Sequence, residues 1–356
     1  MRTRWIIAVA AAQVALLLFM AGEREWVLHT GRTVILRTVP LDPDDPMRGA
    51  YVRLTHELNR VPKAQCHDGL VSWFAPHEST WRFQRSLRDQ RVYATLRLNE
   101  TNVAELVFLS NQKPASGLFL RGRVESVDDD SVQVRYGVEA LFMAKQNAQK
   151  LDTERFGSKA GVPLDLDVRV DPRGLAVTRA HHWESLGLTV AIDRPAPTTT
   201  PQNQLARPPR APTGATLTLK NHGTTPIAIV NRPGGRSFRL ISETRWGFAN
   251  DLWAHETEPL PEPTPADVII LQPGENQKVS IDFSAAAWTV LHRINEENPV
   301  KPVLLAQLDP SGNTTLFRFE YVPPSPIERA KLPHADLIST TPLKSRAFNL
   351  WSGGVD

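Results

Sequence analysis

The chain has 356 residues, with 41 Lys+Arg against 38 Asp+Glu, a single cysteine, 29 prolines and 41% hydrophobic residues. This length predicts about two domains, each large enough to bury a core. The near-neutral charge argues against a nucleic-acid partner, which needs a clustered basic face, and the single cysteine excludes an intramolecular disulfide or a four-thiolate zinc site.

Residues 1–22 predict a transmembrane anchor. Arg2 and Arg4 precede an apolar run at 5–21, 17 residues in which only Gln13 is polar. A helix of this length rises about 25 Å, which is the short end of what spans a bilayer. We expect the helix to end at Gly22. The positive-inside rule then predicts a cytoplasmic N-terminus, with the bulk of the chain periplasmic or extracellular.

A cleaved signal peptide has the same basic-then-apolar layout and is the alternative to an anchor. Cleavage prefers small residues spaced as in A-x-A, and the candidate sites at 19–21 and 20–22 each have a bulky outer residue. The apolar run is also longer than the roughly 7–15 residues usual in a signal peptide. We therefore expect an uncleaved, single-pass anchor in the inner (cytoplasmic) membrane.

Residues 23–194 predict a β-rich domain with one amphipathic helix. Alternating apolar residues and turn signals predict seven strands: 33–41, 50–58, 91–98, 119–127, 131–136, 166–170 and 175–181. The last four form two hairpins, the second joined by the turn at 171–174. Apolar residues at helical spacing predict the helix over 138–152.

Residues 195–213 hold six prolines without hydrophobic periodicity, which predicts a linker and a domain boundary. Residues 214–322 contain seven short strand candidates and no βαβ alternation, which predicts an antiparallel β-sandwich. Its LxLKN and LxPGExxxVxIDF patterns resemble bacterial immunoglobulin-like domains. We expect the Pro-rich tail, 323–356, to lie on the surface or to be disordered.

At 48–56 the chain reads RGAYVRLTH, after VPLDPDDPM. This resembles the signature of the GDYxxLxY family of bacterial membrane-anchored proteins. Gly49, Tyr51 and Leu54 match, whereas Ala50 stands in place of Asp and His56 in place of the second Tyr. Further segments agree in order: RVYATLRL at 91–98, FLRGRV at 119–124, VRYGVEALFM at 134–143 and VRVDPRG at 168–174.

The resemblance covers residues 1–193, and it implies a membrane topology and a polytopic membrane protein or envelope protein as partner, with no assigned activity. The motif residues themselves indicate a structural role. Gly49 ends a turn, and Leu54 and His56 share the face of Leu58, so we expect His56 to pack inward. The change of the signature Asp to Ala50 favours a structural over a catalytic motif.

The residue types that carry chemistry form no recognisable catalytic motif. The adjacent His181 and His182 point to opposite faces of a strand and cannot both bind one ion. Cys66, His67 and Asp68 combine a nucleophile with a base, but side chains of three consecutive residues seldom converge. We therefore assign no catalytic, cofactor-binding or metal-ligating residue, and no cofactor.

Aromatic residues are concentrated in one segment, and Trp73, Phe74, Trp81 and Phe83 form a candidate interaction surface. The alternative is a loop folded onto its own sheet by these rings. We predict a non-enzymatic binding or interaction module of the bacterial cell envelope, held in the membrane and bound to a membrane or envelope partner. The alternatives are a cell-envelope hydrolase with a site scattered along the chain, and a ligand-binding or sensor role.

Overall fold

A computed structural model of the chain is mainly β and begins with one long helix. It describes residues 2–39, 51–67, 69–74, 87–127, 131–193, 211–243, 252–255, 259–292, 300–308 and 315–350. The chain divides into two compact units. The N-terminal unit comprises Met1–Thr38, Tyr51–Phe142 and Leu164–His182, and the C-terminal unit takes in residues 143–163 and those from 183 onward.

Helix α1 spans Arg2–Thr30 and is long and apolar enough to cross a membrane. The expectation that it ends at Gly22 is wrong, because a single glycine costs a helix only about 1 kcal/mol and the residues after it favour helix. Val27, on the added turns, is fully buried. Glu23 forms a 2.9 Å ion pair with Arg173, so the extension of α1 is joined to the rest of the N-terminal unit.

The N-terminal unit contains a five-stranded sheet, a four-stranded sheet and a two-stranded ladder. Its strands are β1 (Arg32–Val39), β2 (Tyr51–Arg53), β3 (Thr55–His56), β4 (Arg60–Pro62), β5 (Arg91–Leu98), β6 (Ala104–Ser110), β7 (Leu118–Val127), β8 (Ser131–Arg135), β9 (Ala140–Phe142), β10 (Leu164–Val170) and β11 (Ala176–Trp183). Their orders are β4-β8-β7-β5-β6, β11-β10-β1-β3 and β2-β9. Helix α2 spans Gly69–Phe74.

Both predicted hairpins of this unit are confirmed. Strands β7 and β8 pair antiparallel, with Arg123 opposite Arg135, and the turn between them lies outside the described residues. Strands β10 and β11 are neighbours joined by the turn at 171–174. In that turn the Asp171 carboxylate accepts hydrogen bonds from the amides of Arg173 and Leu175, and Gly174 has a φ of 76°.

The predicted helix over 138–152 is wrong in its first part. Residues 140–142 form β9, which pairs with β2 so that Tyr51 lies opposite Phe142. Helix α3 begins only at Lys145 and ends at Phe156. At the start of the predicted helix, sheet pairing therefore outweighs the helical spacing of the apolar residues. Ala148 and Leu151, which lie one turn apart, form the buried face of α3.

The C-terminal unit is built from short antiparallel strands. They are β12 (Leu186–Asp193), β13 (Gly214–Asn221), β14 (Ile227–Val230), β15 (Phe238–Glu243), β16 (Leu252–His255), β17 (Val268–Leu271), β18 (Asn276–Asp282), β19 (Thr289–His292), β20 (Lys301–Leu304), β21 (Leu316–Tyr321), β22 (Leu343–Lys344) and β23 (Phe348–Asn349). The sheet orders are β12-β13-β18, β14-β17, β16-β19-β20 and β15-β21-β22, with β23 also on β21. Helix α4 spans Pro326–Arg329.

The division of the chain differs from the boundary expected at 195–213. Strand β12 lies before that segment but pairs with β13 after it, with Leu188 opposite Leu219, both buried. The C-terminal unit therefore begins on the N-terminal side of the proline-rich residues, because the apolar face of β12 is covered by the C-terminal core. Residues 194–210 lie outside the described part of the chain.

The C-terminal tail is also more ordered than expected, since residues 323–350 pack as part of the unit. Strands β22 and β23 both pair with β21, and Leu343, Phe348 and Leu350 are each at most 1% exposed. Prolines in the tail limit its regular structure, but these three apolar side chains are buried in the core and hold it in place.

Candidate functional site

The described residues of the family signature lie on and between β2, in the two-stranded ladder, and β3, at the edge of the four-stranded sheet. Gly49 is outside the described residues, and Tyr51 is the first residue of β2. Leu54 and His56 are both 1% exposed, so His56 is buried as its parity with Leu58 predicts. The motif therefore supplies core side chains at 54 and 56.

His56 is buried without a full set of hydrogen-bond partners. Its ring Nε2 lies 3.4 Å from the carbonyl oxygen of Val138, and Nδ1 has no partner in the described part of the chain. Burial lowers the pKa of His56, and this effect outweighs the opposing influence of the Glu139 carboxylate. The ring is therefore neutral at pH 7, which suits a core residue.

The candidate aromatic surface is described only in part. Trp73 is half-buried in α2, and Phe74 is the last residue of that helix. Trp81 and Phe83 lie outside the described residues. The described residues therefore do not test this surface, and its role stays a prediction.

The thiol of Cys66 does not form a catalytic pair with its neighbours. Cys66 is 4% exposed, and burial raises its pKa to about 11, so it is a neutral thiol at pH 7. His67 is exposed and stacks on Phe108 with ring centroids 4.8 Å apart, and Asp68 lies outside the described residues. A buried neutral thiol is a poor nucleophile.

A cavity of about 330 Å³ opens on the five-stranded sheet. Four arginines and one carboxylate supply the charged groups of its wall, and we call it the arginine pocket. Its lining residues are Arg91, Arg121, Gly122, Arg123, Arg135, Tyr136, Gly137, Glu139 and Leu175. An excess of guanidinium groups over carboxylates is typical of anion-binding sites.

Strand pairing places three of these arginines in a row across β5, β7 and β8. Arg91 lies directly opposite Arg123, and Arg123 lies directly opposite Arg135. Arg121 is two residues from Arg123 on β7, and therefore on the same face of the sheet. Inward-facing neighbours such as Val92 and Val134, at most 1% exposed, cover the other face.

The carboxylate of Glu139 joins the arginine pocket to the signature strand. Its Oε1 accepts hydrogen bonds from the Tyr136 amide (2.5 Å) and from Nδ2 of Asn59 (3.0 Å), and its Oε2 accepts from the Gly137 amide (2.8 Å). The Leu54 amide donates to the carbonyl oxygen of Glu139 at 2.7 Å. The signature strand thus positions the segment that forms one wall of the pocket.

The arginine pocket is the feature that the sequence reasoning missed. Eight of its nine lining residues lie in three segments that carry the family resemblance, 91–98, 119–124 and 134–143, and Leu175 directly follows the fourth. The alternation of Arg121 and Arg123 on one strand was a signal for a basic face. The sequence did not show that Arg91 and Arg135 lie beside them, because register is a tertiary property.

The comparisons with known proteins agree with the family resemblance. A family model described as GDYXXLXY protein matches residues 13–180. This match supports the assignment of that part of the chain to the GDYXXLXY family. No curated protein and no solved structure matches the chain.

Proposed function

We propose that this chain is a membrane-anchored binding or interaction module of the bacterial cell envelope, with no reaction of its own. Helix α1 stays uncleaved in the inner membrane with its N-terminus in the cytoplasm, and the two β-rich units lie outside. The C-terminal unit serves as an immunoglobulin-like interaction domain. A polytopic membrane protein or an envelope protein is the partner implied by the family resemblance.

The observation that carries this proposal is the exposed apolar surface of α1. Trp5 is 74% exposed, Leu18 67% and Phe19 69%, and the apolar stretch of the helix packs against no described part of the chain. Burying such side chains in lipid is favourable by about 1.5–3 kcal/mol each, whereas leaving them in water is not. Arg2 and Arg4 at the start of the helix support the orientation.

The lining of the arginine pocket supports binding rather than catalysis. The described residues that form it include no serine, cysteine, histidine or lysine, and its one carboxylate, that of Glu139, accepts hydrogen bonds from backbone amides. The alternative, a cell-envelope hydrolase, needs a site elsewhere that gathers a nucleophile and a base.

Membrane fractionation of the full chain tests the anchor. We expect the protein to stay in the membrane fraction after carbonate extraction at its full mass, and a phosphatase reporter fused after Asp356 to be active outside the cytoplasm. The double substitution Leu16→Asp/Leu17→Asp should release the protein from the membrane, since a charge at the helix centre costs about 2.5–3.5 kcal/mol.

The matched control is Ile327→Asp, at a side chain that is 74% exposed in the C-terminal unit, which should leave the protein in the membrane. A mature protein that lacks residues 1–21, or a reporter active only in the cytoplasm, contradicts the proposal. Reproducible in-membrane cross-links to one envelope protein would identify the partner, and their absence would count against an interaction module.

A further inference from the structure

The arginine row across the five-stranded sheet concentrates like charges at directly opposed positions. Arg91, Arg123 and Arg135 occupy the same row on three adjacent strands. Directly opposed side chains of an antiparallel pair have their Cβ atoms about 4.5–5.5 Å apart, and like charges at such positions destabilise the sheet. Negative charge near such a row therefore stabilises the sheet.

The described residues supply only part of that negative charge. The carboxylate of Asp89 forms a 2.8 Å ion pair with Arg135, and its backbone carbonyl accepts a hydrogen bond from Arg123 at 2.8 Å. Within the part of the chain that the structure describes, the side chains of Arg91 and Arg121 have no hydrogen bond or ion pair. Two guanidinium groups thus face the pocket without a partner.

The carboxylate in the wall does not neutralise them. Both oxygens of Glu139 accept hydrogen bonds from the backbone amides of Tyr136 and Gly137. That carboxylate is thereby oriented toward its own turn, and it balances one of four guanidinium groups in the lining. The pocket therefore keeps a net positive charge that a ligand can use.

We propose that the arginine pocket binds a phosphate group, and that Arg91 and Arg121 are its principal ligands. A phosphate monoester carries about −1.5 to −2 charges at pH 7 and offers three acceptor oxygens, so it matches several guanidinium groups better than a single carboxylate does. The volume of about 330 Å³ accommodates a small headgroup. This inference rests on the proposed binding function and names its ligand class.

The position of the pocket favours the headgroup of an anionic lipid as the source of the phosphate. The turn at 171–174 links helix α1 to the arginine pocket. Arg173 forms an ion pair with Glu23 of α1 at 2.9 Å, and the carbonyl oxygen of Gly174 accepts a hydrogen bond from the amide of Arg121 at 2.8 Å. Leu175 of the pocket wall is two residues from Arg173, at most about 7 Å along the chain. Glu23 comes two residues after the end of the apolar run at 5–21, so the pocket lies close to the membrane surface.

Thermal unfolding of the full chain in neutral detergent tests this site. The probes are inorganic phosphate, glycerol 3-phosphate, dioctanoyl phosphatidic acid and dioctanoyl phosphatidylcholine, with ionic strength held constant by chloride. We expect a phosphate monoester probe to raise the unfolding midpoint, because a ligand bound to the native state stabilises it. A shift with phosphatidic acid alone identifies a lipid headgroup, whereas equal shifts with the soluble phosphates identify a soluble ligand.

The double variant Arg91→Gln/Arg121→Gln should bind the probe at least tenfold more weakly. Without ligand its unfolding midpoint should equal or exceed that of the wild type, because the like-charge row is relieved. The charge-matched control, Arg97→Gln/Arg179→Gln, changes two exposed arginines of the same unit outside the pocket, and should keep the full ligand shift.

The proposal is overturned if no phosphate monoester shifts the midpoint, or if Arg91→Gln/Arg121→Gln retains the shift of the wild type. If the control variant loses the shift to the same extent, the shift depends on the total charge of the protein and not on this pocket. That result also overturns the proposal. The assay uses detergent and does not depend on orientation in a membrane. Its failure is therefore separable from a failure of the anchor, which fractionation and the reporter measure.

Discussion

The two units of the molecule bury different side chains. The N-terminal unit has an aliphatic interior rich in valine. The Arg37–Asp165 ion pair and the neutral His56 are buried in the same unit. The C-terminal unit centres on aromatic rings: Phe238, Phe283, Trp288, Phe317, Phe319, Tyr321 and Phe348. The apolar cores therefore differ in kind, aliphatic in the N-terminal unit and aromatic in the C-terminal unit, while both units bury ionisable groups, since Arg232 of the C-terminal unit is 2% exposed.

The ring packing of the C-terminal unit has a clear centre. Phe319 packs against Trp288 with centroids 5.6 Å apart, against Phe348 at 5.4 Å and against Phe283 at 6.3 Å. Aromatic pairs at such distances add about 0.5–1.5 kcal/mol beyond the area they bury. Since Phe348 comes from the tail, this cluster is complete only when β23 is paired with β21.

The largest expected effect comes from breaking the buried ion pair of the N-terminal unit. Nη2 of Arg37 lies 2.9 Å from Oδ2 of Asp165, and the two side chains are 5% and 0% exposed. The substitution Asp165→Ala leaves a buried guanidinium without its carboxylate, and should cost about 3–5 kcal/mol of unfolding free energy. Hydrogen exchange of β1 and β10 amides, compared with the C-terminal unit, measures where the loss occurs.

The control for this prediction is an ion pair on the surface of the same unit. Arg97 and Glu105 are 2.7 Å apart, with side chains 74% and 40% exposed. Glu105→Ala should therefore cost about 1 kcal/mol or less. Equal losses for Asp165→Ala and Glu105→Ala would contradict the expectation that burial of the charges sets the cost of breaking the pair.

The second effect concerns the aromatic cluster of the other unit. Phe348→Ala removes a fully buried ring from the tail and should cost about 3–5 kcal/mol. Ile327→Ala, at a side chain 74% exposed in the same tail, should change stability by less than about 0.5 kcal/mol. Urea unfolding followed by fluorescence of the buried Trp288 measures both, and a loss at Phe348 no larger than at Ile327 would mean that the tail is not part of the core.

The smallest effect is a pH dependence carried by His56. Burial lowers its pKa below the ordinary value of 6.5, so the unfolded state binds the proton more readily. The contribution of His56 to the free energy of unfolding is therefore constant above about pH 6.5 and falls as the pH drops below that value. The variant His56→Gln cannot titrate, and we expect its unfolding free energy to fall less steeply between pH 6.5 and 5.

His67→Gln is the control for the pH dependence, because His67 is exposed on the same unit. It should keep the acid sensitivity of the wild type, as seen in urea midpoints recorded at several pH values. If the free energy of unfolding of His56→Gln falls with decreasing pH as steeply as that of the wild type, other groups are responsible for the acid sensitivity of the N-terminal unit.

Local sequence patterns predicted much of the fold. Strand β5 has the bounds that its alternation indicates, and the turn at 171–174 forms where Asp171 and Gly174 favour it. Predictions failed where a long-range partner decides: residues 140–142 pair with β2 instead of forming a helix, and the tail finds the core of the C-terminal unit. The spacing of apolar residues cannot reveal such partners, since it shows which side chains share a face but not which segment packs against that face.

The candidate site was less predictable than the fold. The burial of His56 followed from its parity with Leu54, because alternation is a local property of an extended segment. The arginine pocket depends on the register of three strands separated by up to about forty residues along the chain. A slip of one residue between β5 and β7 would move Arg91 away from Arg123, and nothing in either segment alone excludes it.

The charge balance of the chain has a specific structural meaning. By itself, the sequence determined an apolar N-terminal helix, a near-neutral remainder and the faces of the strands, because composition and alternation act within a few residues. Only the tertiary structure decided that arginines spread over a near-neutral chain meet in one pocket. The physical reason is that side chains become neighbours through strand pairing, and pairing energy depends on residues far apart in the chain.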